Sequence, residues 1–462
     1  MNKSDSERIS SVLENIDYQP ASNENEADLI IVNMCSVRQS AVDRVYGKLN
    51  QISKIKNQND KSKCKIILTG CILNEDKKRL KNKVDLILNI KDLPNWPKYL
   101  KFKTTVRSRR SPLFNGSSFY LKVKPKYSNN FSAFVPIMTG CNNFCSYCVV
   151  PFTRGPEVSR PVEEIMQEVK KLAKNGAKEI WLLGQNVNDY VSRSSNERIK
   201  TNKKRIFVNN SLTFVSNSGD TVNFAKLLKM VNDIEGNFWI RFTSPHPKNF
   251  SDELIETMAK CQKITPYLNL PVQSGDDEIL KRMNRPYTIA KYKKLIEKIR
   301  SKFAKIREGL ERDIAISTDV IVGFPGETKK QFQNTVKLFK EIKFAMAYIA
   351  QYSPRPGTAA EKMKDNVPKK EKERRWKILT EILKKTALEK NKKFVGKEIE
   401  VLVERQETSN KKQVYFGKTR HYKTVKIQLG SRPYTLNANL IGQFVKVKIL
   451  DALPWGLKGK LI

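Results

Sequence analysis

At 462 residues, and with about 150 residues to a domain, the chain has room for roughly three domains. Its 87 Lys and Arg against 47 Asp and Glu leave a formal charge of +40, more than compositional bias explains, and call for a polyanionic partner such as nucleic acid. Hydrophobic residues at 39% exclude global disorder, the lack of any run of about 18 apolar residues excludes a membrane-spanning helix, and two histidines are too few for a His-built catalytic or metal site.

The opening stretch reads as α/β. Apolar, β-branched runs fall at 27–33, just before Cys35, at 65–70, just before Cys71, and at 84–90, with a helical pattern over 36–55. Strands alternating with helices form parallel sheets, and ligands gather beyond the carboxyl ends of such strands, where Cys35 and Cys71 lie. Residues 105–131 are basic and rich in Ser, Asn and Pro, the composition of a linker. From 132 to 392 the alternation resumes, with strands expected at 133–138, 179–183, 238–243, 267–272, 314–322 and 346–352 and helices between them, among them 161–174 and 330–342. Six such units make a (β/α)6 partial TIM barrel, whose chemistry sits at the strand C-termini. Within it, 192–222 reads as a polar, exposed insertion. The basic helix 369–393 sets Trp376, Leu379, Leu383 and Ala387 on one face, so it packs. From 393 to 462, five short strand-like runs suit a small OB-like β-barrel of the oligonucleotide-binding kind; counted from Phe394, ten Lys and three Arg against four Glu and one Asp give it +8.

Seven cysteines, an odd number, and a polar opening segment without a secretory core read as reduced thiols in the cytoplasm, where clustered cysteines hold metal or do chemistry. Cys141, Cys145 and Cys148 follow the first barrel strand with C-x3-C-x2-C spacing. Three thiolates on one short loop leave a fourth position open. Structural zinc wants four closed ligands, and no fourth Cys or His lies nearby. Thiolates favour iron–sulfur clusters, so an open [4Fe–4S] site is expected ahead of zinc or of three core thiols. Cys64 and Cys261 match nothing and read as buried or incidental.

This loop resembles the radical S-adenosylmethionine (SAM) enzymes. The wider segment GCNNFCSYCVVPFTRGPEVSRP (140–161) is similar to the methylthiotransferases, and most of all to the MiaB-type tRNA methylthiotransferases. LLGQNVN (182–188), RFTSPHP (241–247), LNLPVQSGDDEIL (268–280), STDVIVGFPGET (317–328) and YSPRPGTAA (352–360) follow in that family's order. NMCSVR (33–38) and TGC (69–71) resemble its N-terminal domain, and the C-terminal segment resembles its TRAM domain. The resemblance covers nearly the whole chain. Relatives that act on threonylcarbamoyl-adenosine in tRNA, or on a ribosomal protein, share the architecture but fit the VVPFTRG and GQNVN wording less well. A rival of another class is a non-catalytic iron–sulfur RNA-binding protein, which would not cleave SAM.

The resemblance implies that Cys141, Cys145 and Cys148 hold the radical SAM cluster, with SAM on its open iron. Reductive cleavage would give a 5′-deoxyadenosyl radical able to attack C2 of an N6-isopentenyladenosine beside the anticodon, a C–H that no acid–base side chain could activate. Cys35 and Cys71 would belong to a second [4Fe–4S] cluster that carries the inserted sulfur. Tyr147 stands where the family places an aromatic near the SAM adenine, or it is packing. Gly184, Gln185 and Asn186 resemble the SAM amino-group region, or form a turn. Gly323 and Gly326 end a strand where backbone can approach a ligand, SAM here, closely, or form a plain turn. Arg154 and Arg160 could meet a SAM carboxylate or RNA phosphate, or solvent, and His246 is expected in a structural role. The implied partners are tRNA and an electron donor such as flavodoxin or ferredoxin, for a cytoplasmic monomer.

One departure stands out. The family's second cluster uses three cysteines, the first in a Gly-Cys-x-Met-Asn segment that ends the first strand. Met1-Asn2 looks like the end of that segment, so the first cysteine and a strand are missing. The expectation is a true start upstream of Met1, with a broken gene or an altered cluster as the alternatives. If the chain as written is the whole protein, its N-terminal fold should be weak and sulfur insertion slight.

Overall fold

The computed structural model describes residues 1–37, 39–58, 64–100, 119–193, 221–409, 412–429 and 439–462. Most of the expected insertion, and the larger part of the expected linker, lie outside the described residues. No helix among the described residues is long and apolar enough to cross a membrane.

The N-terminal layer is a parallel sheet in the order β1 (Leu29–Cys35), β2 (Lys65–Cys71), β3 (Leu86–Ile87). Successive side chains face opposite sides of a strand, and β2 divides accordingly. Ile66 and Leu68 pack with Val42, Leu49 and Ile52 of helix α2 (Gln39–Gln58) and with Leu80 at the end of α3 (Asn74–Leu80). Ile67 packs on the other side with Ile9 and Val12 of α1 (Asn2–Glu14), Trp96, Tyr120 and Leu121. Tyr120 and Leu121 come from the stretch read as a linker, so its described end belongs to this core. β1 is an open edge and most of its residues are half-buried.

Six parallel strands follow: β4 (Ser132–Pro136), β5 (Glu179–Leu183), β6 (Trp239–Phe242), β7 (Tyr267–Asn269), β8 (Ala315–Val322) and β9 (Met346–Gln351). They pair as β4-β5-β6 and β7-β8-β9, joined by the Ile240–Ile264 bridge. The result is a barrel open between β4 and β9. Its outer layer is α4 (Val162–Lys174), α5 (Phe224–Asn232), α6 (Asp252–Lys260), α7 (Ile289–Ile306) and α8 (Lys329–Ile342). Side chains of Asn223, Ser251, Thr288 and Thr328 cap α5 to α8, satisfying orphan N–H groups at each start. Helix α9 (Lys369–Lys392) lies along β9, with Leu379, Leu383 and Ala387 buried.

The C-terminal segment closes into a five-stranded barrel in the order β10 (Glu398–Ser409), β11 (Lys412–Thr419), β12 (Thr424–Gln428), β14 (Gly456–Leu461), β13 (Phe444–Leu453). Closure removes the edges that short strands would otherwise expose. Tyr422 of this barrel reaches the N-terminal ends of the central strands, 5.2 Å from the Trp181 ring and 4.8 Å from the Tyr267 ring. Buried Arg241 of β6 pairs with Glu179 and donates to the carbonyls of Thr419 and Arg420. The small barrel is therefore docked by both aromatic packing and a buried charge.

Candidate active site

The cysteine loop begins at Gly140, whose φ is +81°, and a Cβ there would strike the Pro156 backbone. The loop is then held from across the barrel. Ser146 N–H donates to Met283 O (3.0 Å), and Asn284 Nδ2 donates to the carbonyls of Asn143 and Phe144 (3.2 and 3.0 Å). Cys141, Cys145 and Cys148 all line one cavity of about 650 Å³ at the C-terminal ends of the strands. Gln185, His246 and Gln273 line it from beyond successive strand ends and Asp319 from within β8, and Val37, Gln39 and Ser40 of the N-terminal layer roof it.

Burial pushes the Cys141 thiol up and the Cys148 thiol up to about 12. Hydrogen bonds from Asn143 to Cys141 and from the Val150 backbone to Cys148 oppose that shift, and a metal centre would have to displace the protons. Arg285 lies over the loop, with Nη1 3.5 Å from Cys145 Sγ, held by its bond to Pro271 O and by the Tyr287 hydroxyl. Burial, with Arg285 and Lys248 nearby, lowers His246 to about 2, so its ring is neutral. Its Nδ1 accepts from Lys248 N–H (3.2 Å), which leaves the proton on Nε2. Nε2 of His246 and Oε1 of Gln185 are buried without a hydrogen-bond partner among the described residues. A cavity lined by three thiols and by an orphan donor and acceptor fits an open cluster and a zwitterionic ligand such as SAM. Among the described residues, no three Cys, His, Asp or Glu side chains stand where one ion could be held. A [4Fe–4S] cluster asks something different, since each thiolate meets its own iron.

Of the residues singled out in the sequence for SAM, Tyr147 and Gln185 line this cavity. Gly184 lies against Met138 and Val187, and Asn186 turns its side chain to Asp189. Gly323 and Gly326 are not among the residues that line the cavity: at φ +69° and +76°, a Cβ on them would meet the Lys372 and Arg282 side chains. Arg154 and Arg160 are also not at the cavity. Arg154 is buried against Asp5 (2.6 Å), and Arg160 against Glu168 (2.8 Å). Arg285 was missed because nothing in its neighbourhood of the sequence marks it. The left-handed φ of Ser244 (+61°) and Gln273 (+72°), both at the cavity wall, likewise has no local signal.

Residues 135–339 match the Radical SAM superfamily model, 1–89 an uncharacterized protein family (UPF0004), and 392–462 the TRAM domain. The chain is similar along its whole length to the tRNA-2-methylthio-N(6)-dimethylallyladenosine synthase of Acetivibrio thermocellus, at 37% identity over 468 residues and 89% of that protein. To the synthase of the same name from Clostridium botulinum strain Hall it is 39% identical, over 95% of that protein. The chain belongs to this synthase family. Among solved structures, the radical S-adenosylmethionine methyltransferase TsrM from Kitasatospora setae is 12% identical, with a TM-score of 0.47 over 78% of this chain and 73% of that one.

Membership of the synthase family brings SAM and [4Fe–4S] clusters as cofactors. The second pair of cysteines sits in the N-terminal layer, where Cys35 and Cys71 are register partners at the ends of β1 and β2. Gly70, at φ +104°, lets β2 close on the Met34 backbone. Cys71 accepts from Arg154 Nε at 2.9 Å, while burial pushes its thiol up and Arg154 opposes that. Two thiols are one short of the three-cysteine set that the resemblance implies for the second cluster.

Proposed function

We propose that this protein is a tRNA methylthiotransferase that places a methylthio group on C2 of an N6-isopentenyl (dimethylallyl) adenosine beside the anticodon. The observation that carries the reading is the convergence of Cys141, Cys145, Cys148, Gln185 and His246 on one cavity in a chain 37–39% identical to such synthases. In this reading the three cysteines hold the cluster, and Tyr147, Gln185 and neutral His246 bind and orient SAM. When bound, cluster and SAM supply one-electron chemistry at an unactivated C–H bond. The N-terminal roof and the buried walls keep water from that chemistry.

Residues 1–104 form the methylthiotransferase domain with Cys35 and Cys71, 105–131 a basic connection, 132–392 the radical SAM core, and 393–462 the RNA-binding TRAM domain. The enzyme acts as a cytoplasmic monomer reduced by a flavodoxin- or ferredoxin-type donor. The +40 charge suits tRNA, whose phosphates dominate affinity. The test is anaerobic reconstitution with SAM, dithionite and an anticodon stem-loop bearing N6-isopentenyladenosine. Wild type should release 5′-deoxyadenosine, and Cys148→Ser should lose one cluster's iron and that release while still binding RNA. Methylthiolation of threonylcarbamoyl-adenosine instead, or no SAM cleavage, would reject the reading.

A further inference from the structure

Among the described residues, Tyr348 (40% exposed), Trp376 (38%) and Trp455 (45%) are large aromatic side chains open to solvent, as are Phe144 and Phe152 at and just after the cysteine loop. The first three lie on one continuous surface. Tyr348 and Trp376 line the cysteine cavity and also a second, apolar groove of about 310 Å³, which Trp455 closes at its far end. Tyr348 and Trp455 then line a third cavity, beside Lys418 and Lys423 of the small barrel. The groove wraps the edge of β9, which pairs with β8 alone, because the central barrel does not close. A closed barrel would have no such way out from the reacting centre.

We propose that Trp376, Tyr348 and Trp455 form a stacking track for the unpaired nucleotides that flank the reacting base, running from the cavity mouth to the small barrel. The proposal rests on the tRNA reading. Three features select single-stranded RNA as the occupant. A base modified inside an enzyme must leave its stack, so its neighbours lose stacking partners too. Exposed aromatic rings replace those partners without regard to sequence, because every base has a π-face. The exposed charge beside it is positive: Lys377, next to Trp376, is exposed and forms no ion pair among the described residues, while half-buried Lys418 and Lys423, whose Nζ atoms donate to Thr424 and to Ala345 O, line the third cavity. The track also ends on a segment of charge +8.

Trp376 is held in place by its Nε1 donating to Ile349 O at 3.2 Å, so it presents a fixed surface. Trp455 sits at the β13–β14 turn and does not line the cysteine cavity, which makes it the better residue to change. The test uses the full chain and a stem-loop RNA with N6-isopentenyladenosine. Trp455→Ala should bind it about tenfold more weakly, and Trp455→Phe within about twofold of wild type, as loss of one stacked base predicts. Its melting temperature and its RNA-free release of 5′-deoxyadenosine should equal those of wild type. Abasic residues in place of the loop nucleotides beside the target should weaken wild type to the Trp455→Ala level and leave that variant unmoved.

Wild type that binds the RNA, with Trp455→Ala binding as well, overturns the track and leaves the tRNA reading standing. Wild type that binds none of the RNA overturns both. A Trp455→Ala protein that keeps its RNA affinity but is reduced more slowly by flavodoxin makes this a protein-docking face, and overturns the track.

Discussion

The junction between the two barrels depends on Arg241, and replacing it tests that dependence. Arg241 has no exposed side-chain surface and pairs with Glu179, 3% exposed, at 2.6 Å. It also donates to Thr265 Oγ1 at 2.9 Å and to the carbonyls of Thr419 and Arg420 at 2.8 Å each. Arg241→Met keeps most of the volume but strands Glu179, whose remaining donors are Trp181 Nε1 and Ser132 Oγ. Breaking a buried pair from one side costs about 3–5 kcal/mol. Two carbonyls left without donors add a cost of about 1–3 kcal/mol each when counted alone. These parts overlap, so about 4–6 kcal/mol is expected, concentrated at the junction. Adding Glu179→Gln should recover a good part of it, because no unpaired charge remains. Urea midpoints and the rate at which trypsin frees the C-terminal segment measure both effects. A loss below about 1 kcal/mol in Arg241→Met, or a double variant no more stable than the single one, would refute the reasoning.

Both histidines are buried and held neutral, His246 to about 2 and His421 to about 3, whereas an unfolded histidine titrates near 6.5. Their contribution is full above pH 6.5 and is lost as pH falls toward 3, at up to about 1.4 kcal/mol per pH unit for each. Denaturation midpoints between pH 6 and 5 should fall less steeply in His246→Asn/His421→Asn, and an unchanged slope would count against this. Gly140→Ala forces a Cβ into the Pro156 backbone at φ +81°, so the reconstituted protein should lose the iron of the cysteine loop while keeping its helix content by circular dichroism. Arg154→Met leaves Asp5, fully buried, without its 2.6 Å partner. About 3–5 kcal/mol should be lost, seen as early proteolysis within the first 100 residues.

The strands were the most legible part of the sequence, because β-branched runs between turn signals suit a buried parallel sheet. The run 84–90 was an exception: only Leu86 and Ile87 find partners on β2 before a 3-10 turn, Ile90–Lys98, that contains Pro94 and Pro97. In 267–272 the ladder stops at Asn269, and the Thr318 hydroxyl takes over by accepting from Val272 N–H. Helix α1 went unread for a different reason. Its inward face carries Asp5 and Arg8, and it is buried because Arg154 and Glu168 neutralise it from the central barrel. Periodicity of apolar residues cannot reveal a face of that kind. The cysteine triplet was legible from spacing, whereas Arg285 reaches Cys145 from 140 positions away.

The segment from Cys148 to Arg154 joins the two cysteine sites directly. Cys148 lines the cavity, and Arg154, at the end of the single short helix Val150–Arg154, donates to Cys71. A helix fixes direction as well as distance: each residue advances it about 1.5 Å and turns it about 100°. One residue inserted between them would swing Arg154 away from Cys71 and unpair Asp5 while leaving every cysteine in place. Between Cys148 and Arg154 the side chains can therefore change far more readily than the length, and an insertion or deletion there would damage two sites at once.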